Sequence, residues 1–416
     1  FDLDNYIDYF VFETYIQNRD WMGIDWGINN VKLWRRDTTG ATWRYMMYDT
    51  DFAFGLYGGN IYQNYIDRAR NPNYPNTHSE IFDHILDNAD FKCRFTNRYD
   101  DLINTTFQTD HFNAVTDELK SELVPAIPDH IAAWSSQMGP YSYTNWLNAV
   151  NGIKTYNSSR IATARQHLNQ SLSLQGQLTV DLDVFPSTAG HVKLNSIMPE
   201  LPWDGVYHGA CPVAAQAIPS RGFLFSHWYS TATPYNNALQ DSIEVALSAN
   251  TTLVAHFDTC KNVVDATIEQ SERMLKAGVS IAVYNPSYEW LYNGTLVSTD
   301  SVIYNPLDGD YQLMIRFDSC EIQSETFIVN QGDYGIHLFP NPAVDALNIQ
   351  FLMGQQENMT LGIYNTAGQL VWETTYSHFL GQFNTAIDVS SFARDLYMLR
   401  ITTPSVTYAG KFVLVD

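Results

Sequence analysis

The dominant hydrophobic period of this chain changes near Gly176, and that change confines the fold to a mostly helical part followed by sheets. Before it, side chains recur at helical spacing, first as Leu3, Tyr6, Ile7, Phe10, Val11 and Thr14, with Asp2 or Asp4 placed to cap the start. Further helices are expected from Ser79 with Phe82, Ile85 and Leu86, from Phe91 to Ile103, from Val115 to Leu123 before Pro125, from Ile127 to Trp134, and from Trp146 to Leu168. After Gly176 the spacing is two. Leu178, Val180, Leu182 and Val184 would share one face of a strand, and turn signals recur through residue 257. The 416 residues suffice for several domains. The division expected is 1–173, mostly helical with a short hairpin, then 174–257, 258–335 and 336–416, all three all-β and sandwich-like.

Charge and cysteines narrow the partners. The chain carries 23 basic and 45 acidic residues, a net charge of −22, which repels nucleic acid and anionic membranes. No apolar run approaches the ~20 residues of a membrane-spanning helix. Cys93, Cys211, Cys260 and Cys320 form no C-x-x-C pair, so zinc is not expected. Cys260 and Cys320 sit in matching contexts, Phe-Asp-Thr-Cys and Phe-Asp-Ser-Cys, and bracket one β-module. That placement suggests a disulfide in an oxidising compartment, with two unrelated buried thiols as the alternative. The chain starts at Phe1 inside a helical pattern, so it reads as a fragment without its N-terminal portion, and the missing signal peptide says nothing about secretion.

The chemistry concentrates between Asn18 and Gly55. Residues 31–36 and 42–52 read as two strands joined by Asp37-Thr38-Thr39-Gly40. A strand over 42–52 would set Trp43, Tyr45, Met47, Asp49 and Asp51 on one face, apolar until its last two residues. Two carboxylates about 7 Å apart repel unless a cation sits between them, and a hard divalent ion takes oxygen ligands. Upstream, Asp20 precedes the pair Asn29 and Asn30. An acid, an amide and an acid before Phe-x-x-Gly is the order in which kinases place a base, a metal-side amide and a metal Asp. Taken singly, each of these residues is more ordinary as a turn or cap residue. Together, Asp20, Asp49, Asp51 and one amide are expected around a single ion.

Asn18-Arg19-Asp20, Asn30-Val31-Lys32-Leu33-Trp34 and Tyr48-Asp49-Thr50-Asp51-Phe52-Ala53-Phe54-Gly55 resemble the spore-coat-protein-H (CotH) kinase family, through about residue 170. Tyr48 and Trp34 exchange the family's usual aromatics. The resemblance implies an α+β atypical kinase-like C-terminal lobe and phosphate transfer from ATP to protein Ser/Thr. It implies Asp20 as catalytic base or hydroxyl orienter, Asn30 (or Asn29) as metal-side amide, and Asp49 and Asp51 holding Mg2+ or Mn2+ against the nucleotide, with Asp51 closer to the kinase metal Asp. A Gly-rich loop and a phosphate-binding Lys are not found in this stretch, so the fragment alone is expected to be inactive and the intact protein active.

The remaining segments resemble export and spacer modules. Gly190-His191-Val192, Gly222-Phe223 with Phe225 and Trp228, and Asn250 to Phe257 resemble the divergent internalin-B-type repeat. Tyr288, Trp290 and Tyr292, with Asp308 to Leu313, look like an immunoglobulin or PKD-type sandwich with Trp290 at its centre. Leu338-Phe339-Pro340-Asn341-Pro342, Gly362 to Val371, Leu396 to Ile401 and Lys411 to Leu414 resemble the type A C-terminal sorting domain of the type IX secretion system of Bacteroidetes. Asp395 replaces a usual Gly. That resemblance implies passage through the outer membrane and release or attachment at the cell surface, with the secretion machinery as partner. The rival reading is a catalytically silent surface protein for adhesion or glycan binding, and a structural calcium site at Asp49 and Asp51 is a third, lacking the spacing of a calcium loop. His111, His130 and His167 have no ligand spacing and are expected to be structural or exposed.

Overall fold

The computed structural model describes residues 1–138, 141–271, 274–329, 336–405 and 407–416. The chain forms two compact units, Phe1–Ile218 with Phe225–His256, and Pro219–Leu224 with Phe257–Asp416. The expected boundary between 335 and 336 touches residues outside those described.

The first unit is built on helix α1 (Leu3–Ile16), capped by Asp2, whose carboxylate accepts the Asn5 N–H at 3.1 Å. Tyr6, Ile7, Phe10 and Val11 are buried as their spacing demands, while Leu3 stays exposed. A two-stranded hairpin follows, β1 (Lys32–Trp34) and β2 (Arg44–Met46). Then come α2 (Tyr65–Arg70), α3 (Thr77–Ile85), α4 (Ala89–Asn104), α5 (Thr109–Leu123), α6 (Ile127–Met138) and α7 (Tyr143–Leu172). Only α2 was absent from the sequence reading; it is a single short element set off by Asn64, whose side chain accepts from Ile66 and Asp67. Phe10, Trp21, Phe82, Phe95 and Tyr99 form the aromatic heart of this core.

The strands β3 (Gln177–Phe185), β4 (Gly190–Leu194), β5 (Trp203–His208), β6 (Val213–Pro219), β7 (Phe223–Ser230), β8 (Ser242–Val245) and β9 (Thr251–Thr259) make two sheets, ordered β5-β3-β9-β7 and β4-β6-β8. Val180, Leu182 and Val184 alternate inward on β3. The module is fastened to the helices inside the same unit. Asp100 on α4 accepts from Arg165 of α7 at 3.1 Å and from the backbone and Nδ1 of His208 of β5 at 2.9 Å each, and the ring's Nε2 lies 3.1 Å from the Arg165 carbonyl. Beside it, the Tyr207 hydroxyl donates to Asp101 at 2.7 Å. A disulfide joins Cys93 of α4 to Cys211, a pairing that spacing did not announce.

In the second unit, one sheet of three strands (Ala266–Ser271, Met274–Val279, Val302–Tyr304) accompanies one of five built on Gly309–Phe317. Trp290 is fully buried between them, its indole N–H donating to the Asp300 carbonyl at 2.8 Å. Cys260 and Cys320 are bonded, as their matched contexts suggested. The last sheet has five strands. Two of them, Ala346–Tyr364 and Leu370–Asp388, are 19 residues each. Register shifts between Met353 and Met359 break this hairpin into halves, the first pairing His337–Phe339 and the second Leu396–Thr402. Such bulges bend a strand, so one long hairpin does the work of several short strands around the core of Ile349, Phe351, Leu361 and Ile401.

Candidate active site at the end of the first helix

The end of α1 is fixed from behind. Gln17 closes the helix in left-handed backbone, φ 58°. The buried guanidinium of Arg160, on α7, donates through Nε to the Tyr15 carbonyl at 2.9 Å and through Nη2 to the Thr14 carbonyl at 3.2 Å. A cation on the last carbonyls of a helix satisfies orphan acceptors and complements the dipole. His167 faces Arg160 through Nδ1 at 3.0 Å, and burial, aided by that charge, pushes its pKa down to about 4. It is a neutral acceptor in the interior; His111 and His130 are exposed.

Asn18 joins the two loops that carry the acids. It is fully buried. Its Oδ1 accepts the Asp20 backbone N–H at 3.2 Å, and its Nδ2 donates to Glu13 at 3.0 Å and to the Asp49 carbonyl at 3.4 Å. A single side-chain amide therefore spans the backbone of Asp20 and of Asp49. Arg19 adds a second tie: its backbone N–H donates to the Phe52 carbonyl at 3.1 Å and its Nη1 to the Tyr57 carbonyl at 2.6 Å, while Nε pairs with Asp25 at 2.7 Å. Arg68 pairs with the same carboxylate. Burial works to raise the Asp25 pKa, but the two guanidiniums outweigh it and hold it below the usual range.

The Asp20 carboxylate accepts from the amides of Asn29 at 2.8 Å and Asn30 at 3.2 Å; Asn30 also donates to the Asp20 carbonyl at 2.9 Å. Both asparagines are thus brought to Asp20, and Asn30 takes left-handed backbone (φ 57°) to get there. Asp49 and Asp51 stand together and exposed. A hydrogen bond from Asp51 raises the Asp49 pKa, with burial and the like charge adding to it. Two like charges held this close mark a place that a cation would occupy.

Two expectations need correcting. The strand over 42–52 is only β2, three residues long, with Tyr45 buried while Trp43 and Met47 are 43% and 51% exposed. The Asn5 side chain pairs with both backbone groups of Tyr45 at 2.7 and 3.1 Å, pinning that residue inward, and left-handed Asp49 (φ 54°) ends the extension. The acids therefore meet through a turn and not along a strand face. Second, among the described residues no three of His, Cys, Asp and Glu converge as metal ligands. Asp20 is occupied by the two asparagines and is not a third carboxylate beside Asp49 and Asp51. A small divalent ion needs no third, since magnesium commonly takes one or two carboxylates plus phosphate oxygens and water.

Beside the acid pair lies an open groove of about 1190 Å³, bounded by residues 53–61 and one face of α7, with Asn148, Asn151, Gly152 and Tyr156 along its wall. Gly55, Leu56, Gly59, Asn60 and Ile61 supply its other side. Asp20 does not line it.

Glu13, Gln17 and Arg160 were not singled out from sequence. The signal for Glu13 was an acid on the buried face of α1, three residues after Phe10. Its Oε2 takes the Asn18 amide, its Oε1 has no partner among the described residues, and burial pushes its pKa up to about 8. The folded chain keeps the proton that the unfolded chain releases, so stability falls as pH rises from about 4.5 towards about 8. Glu13→Gln is expected to remove that slope, gaining roughly 2–3 kcal/mol over the parent by pH 8 and little at pH 4.5. Urea midpoints across this range measure it; parallel curves for the two proteins would contradict it.

Residues 1–163 match the family model described as CotH kinase protein, and residues 337–415 match the secretion system C-terminal sorting domain. No curated protein matches the chain. Among solved structures, a DUF3244 family protein with an immunoglobulin-like β-sandwich from Bacteroides vulgatus is 25% identical over 19% of this chain and 83% of its own, with a TM-score of 0.17. The Bacillus anthracis TIE protein is 10% identical over 58% of this chain and 48% of its own, with a TM-score of 0.15. The BSP domain of a biofilm associated protein is 10% identical over 58% and 57%, with a TM-score of 0.18. Scores this low bear on neither fold nor site. The sorting domain makes this a secreted or cell-surface protein of the type IX route, and no described helix is long and apolar enough to cross a membrane.

Proposed function

We propose, from the premise that residues 1–163 are a CotH kinase-family segment on an exported chain, that the protein transfers the terminal phosphate of ATP to Ser or Thr of another protein. The observation that carries this reading is Asn18, whose one amide holds the Asp20 loop against the Asp49 loop. In such a transfer the acceptor oxygen bonds to the terminal phosphorus, the bridging oxygen leaves with the nucleoside diphosphate, and the hydroxyl proton passes to Asp20. Asn29 and Asn30 hold that carboxylate in place. Asp49 and Asp51, with the Asn30 Oδ1 as a third oxygen, would hold Mg2+ or Mn2+, which supplies neutralisation of phosphate charge.

The test is phosphate transfer from labelled ATP to a protein mixture by the full-length protein, alongside Asp20→Ala. The expected result is transfer that falls at least ~100-fold in the variant, the usual weight of a positioned base; equal rates would remove the reading. Adhesion through exposed aromatics is less favoured. Arg44 lies over Trp34 at 6.0 Å and Arg35 over Trp43 at 5.1 Å, so one face of each indole on the hairpin is already covered.

A further inference from the structure

Glu13 is a carboxyl that neither the packing of the core nor the transfer step described above accounts for. It is fully buried on the inner face of α1, among Tyr9, Phe10 and Ile16. Its Oε2 accepts the Asn18 amide at 3.0 Å, and its Oε1 has no partner among the described residues. A half-satisfied carboxyl in a closed core opposes folding, and an apolar side chain of the same length would serve that core better.

The end of the helix supplies the independent observation. α1 closes with Gln17 in left-handed backbone, and the Asn18 N–H returns to the Glu13 carbonyl at 3.3 Å. Helix ends of this kind commonly set an apolar contact between the two residues so joined. Here those residues are Glu13 and Asn18, and a hydrogen bond between their side chains stands where the apolar contact would be. What it does is aim an amide. The Asn18 Oδ1 faces a donor, the Asp20 N–H at 3.2 Å, while Nδ2 faces two acceptors, Glu13 at 3.0 Å and the Asp49 carbonyl at 3.4 Å. Three groups thus set the plane of this amide, and Glu13 is the nearest of them.

We propose that Glu13 is a positioning residue of the site: its carboxyl fixes the plane of the Asn18 amide and, through that amide, the spacing between the Asp20 loop and the Asp49 loop. It touches no substrate and acts only through Asn18. The assignment rests on the phosphotransfer reading for its effect on rate, and on the geometry alone for its effect on the loops.

The test compares Glu13→Gln with Glu13→Met in the full-length protein. Both remove the carboxyl whose pKa lies at about 8 and nearly keep its length, but only glutamine keeps an acceptor oxygen, so their difference reports the acceptor alone. Hydrogen exchange read by mass spectrometry is expected to show the Asn18–Asp25 segment exchanging at least ~10-fold faster in Glu13→Met than in Glu13→Gln, while the α1 amides from Tyr6 to Val11 exchange alike in the two. For phosphate transfer, kcat is expected to be at least ~10-fold lower in Glu13→Met than in Glu13→Gln, with KM for ATP within about twofold. Glu13→Met added to Asn18→Ala is expected to cost no further rate, because a residue that acts through another is not additive with it. Equal exchange in the two Glu13 variants overturns the proposal, and so do multiplicative losses in the double variant. A Glu13→Met protein that fails to fold beside a folded Glu13→Gln also overturns it, since the acceptor would then serve the fold itself. The two readings fail separately. Faster loop exchange in Glu13→Met with no transfer by the parent keeps the positioning role and removes phosphotransfer; transfer by the parent with equal kcat in both variants keeps phosphotransfer and removes the role of Glu13.

Discussion

Replacing Asp100 by alanine is expected to lower the unfolding free energy of the first unit by about 3–5 kcal/mol, the cost of breaking a buried ion pair from one side. Asp100 is fully buried and accepts from Arg165, from the backbone of His208 and from its ring. Without it, among the described residues the Arg165 guanidinium keeps the Val206 carbonyl at 2.7 Å and the Asn104 amide oxygen at 2.6 Å, and the His208 backbone N–H and Nδ1 lose their acceptor. No water can replace it cheaply in so closed a place. Asp100→Asn keeps an acceptor oxygen for His208 and should fall between parent and alanine variant. Urea unfolding followed by tryptophan fluorescence measures the series. A loss under about 1 kcal/mol for Asp100→Ala would mean that the Cys93–Cys211 bond, the Tyr207–Asp101 hydrogen bond and apolar packing fasten the β-strands to the helices without it.

Asp51→Ala is expected to show the opposite division, a large loss of function with no loss of fold. Transfer should drop by about 10³-fold or more, in line with removal of a main electrostatic support of a transition state. The melting temperature should hold or rise slightly, because the substitution relieves the like-charge contact that raises the Asp49 pKa. Chelation of divalent ions should abolish transfer by the parent, and added Mg2+ should restore it. The same addition should stabilise the parent and leave Asp51→Ala unmoved, since an ion stabilises only the state that binds it. Thermal melts with and without Mg2+ read this directly. Equal Mg2+ stabilisation of both proteins would place the ion elsewhere.

Much of the architecture was legible because burial has a period. Tyr6, Phe10 and Val11 on α1, and Val180, Leu182 and Val184 on β3, announce their element and their inner face together. Trp290 was legible for a similar reason: a large aromatic between alternating residues has few places to go but a core. The strand carrying Asp49 and Asp51 was misread because alternation is a weak signal over so few residues. Asn5, forty residues away, fixes Tyr45 inward, and a left-handed Asp49 turns the acids out of the sheet.

The order Asn18-x-Asp20, Asn30, Asp49-x-Asp51 and the export module at 337–415 were determined by the amino-acid sequence itself, as were the charge and the change from helix to sheet at Gly176. Only the tertiary structure decided that Asp20 is held by two asparagines, that Asn18 links its loop to the Asp49 loop, that Arg160 anchors the end of α1 from 145 residues away, and that Cys93 meets Cys211. The reason is physical. Local periodicity reports which side of an element is buried, but a buried hydrogen bond or ion pair depends on which distant groups the packed core brings within about 3 Å, and no spacing along the chain encodes that distance.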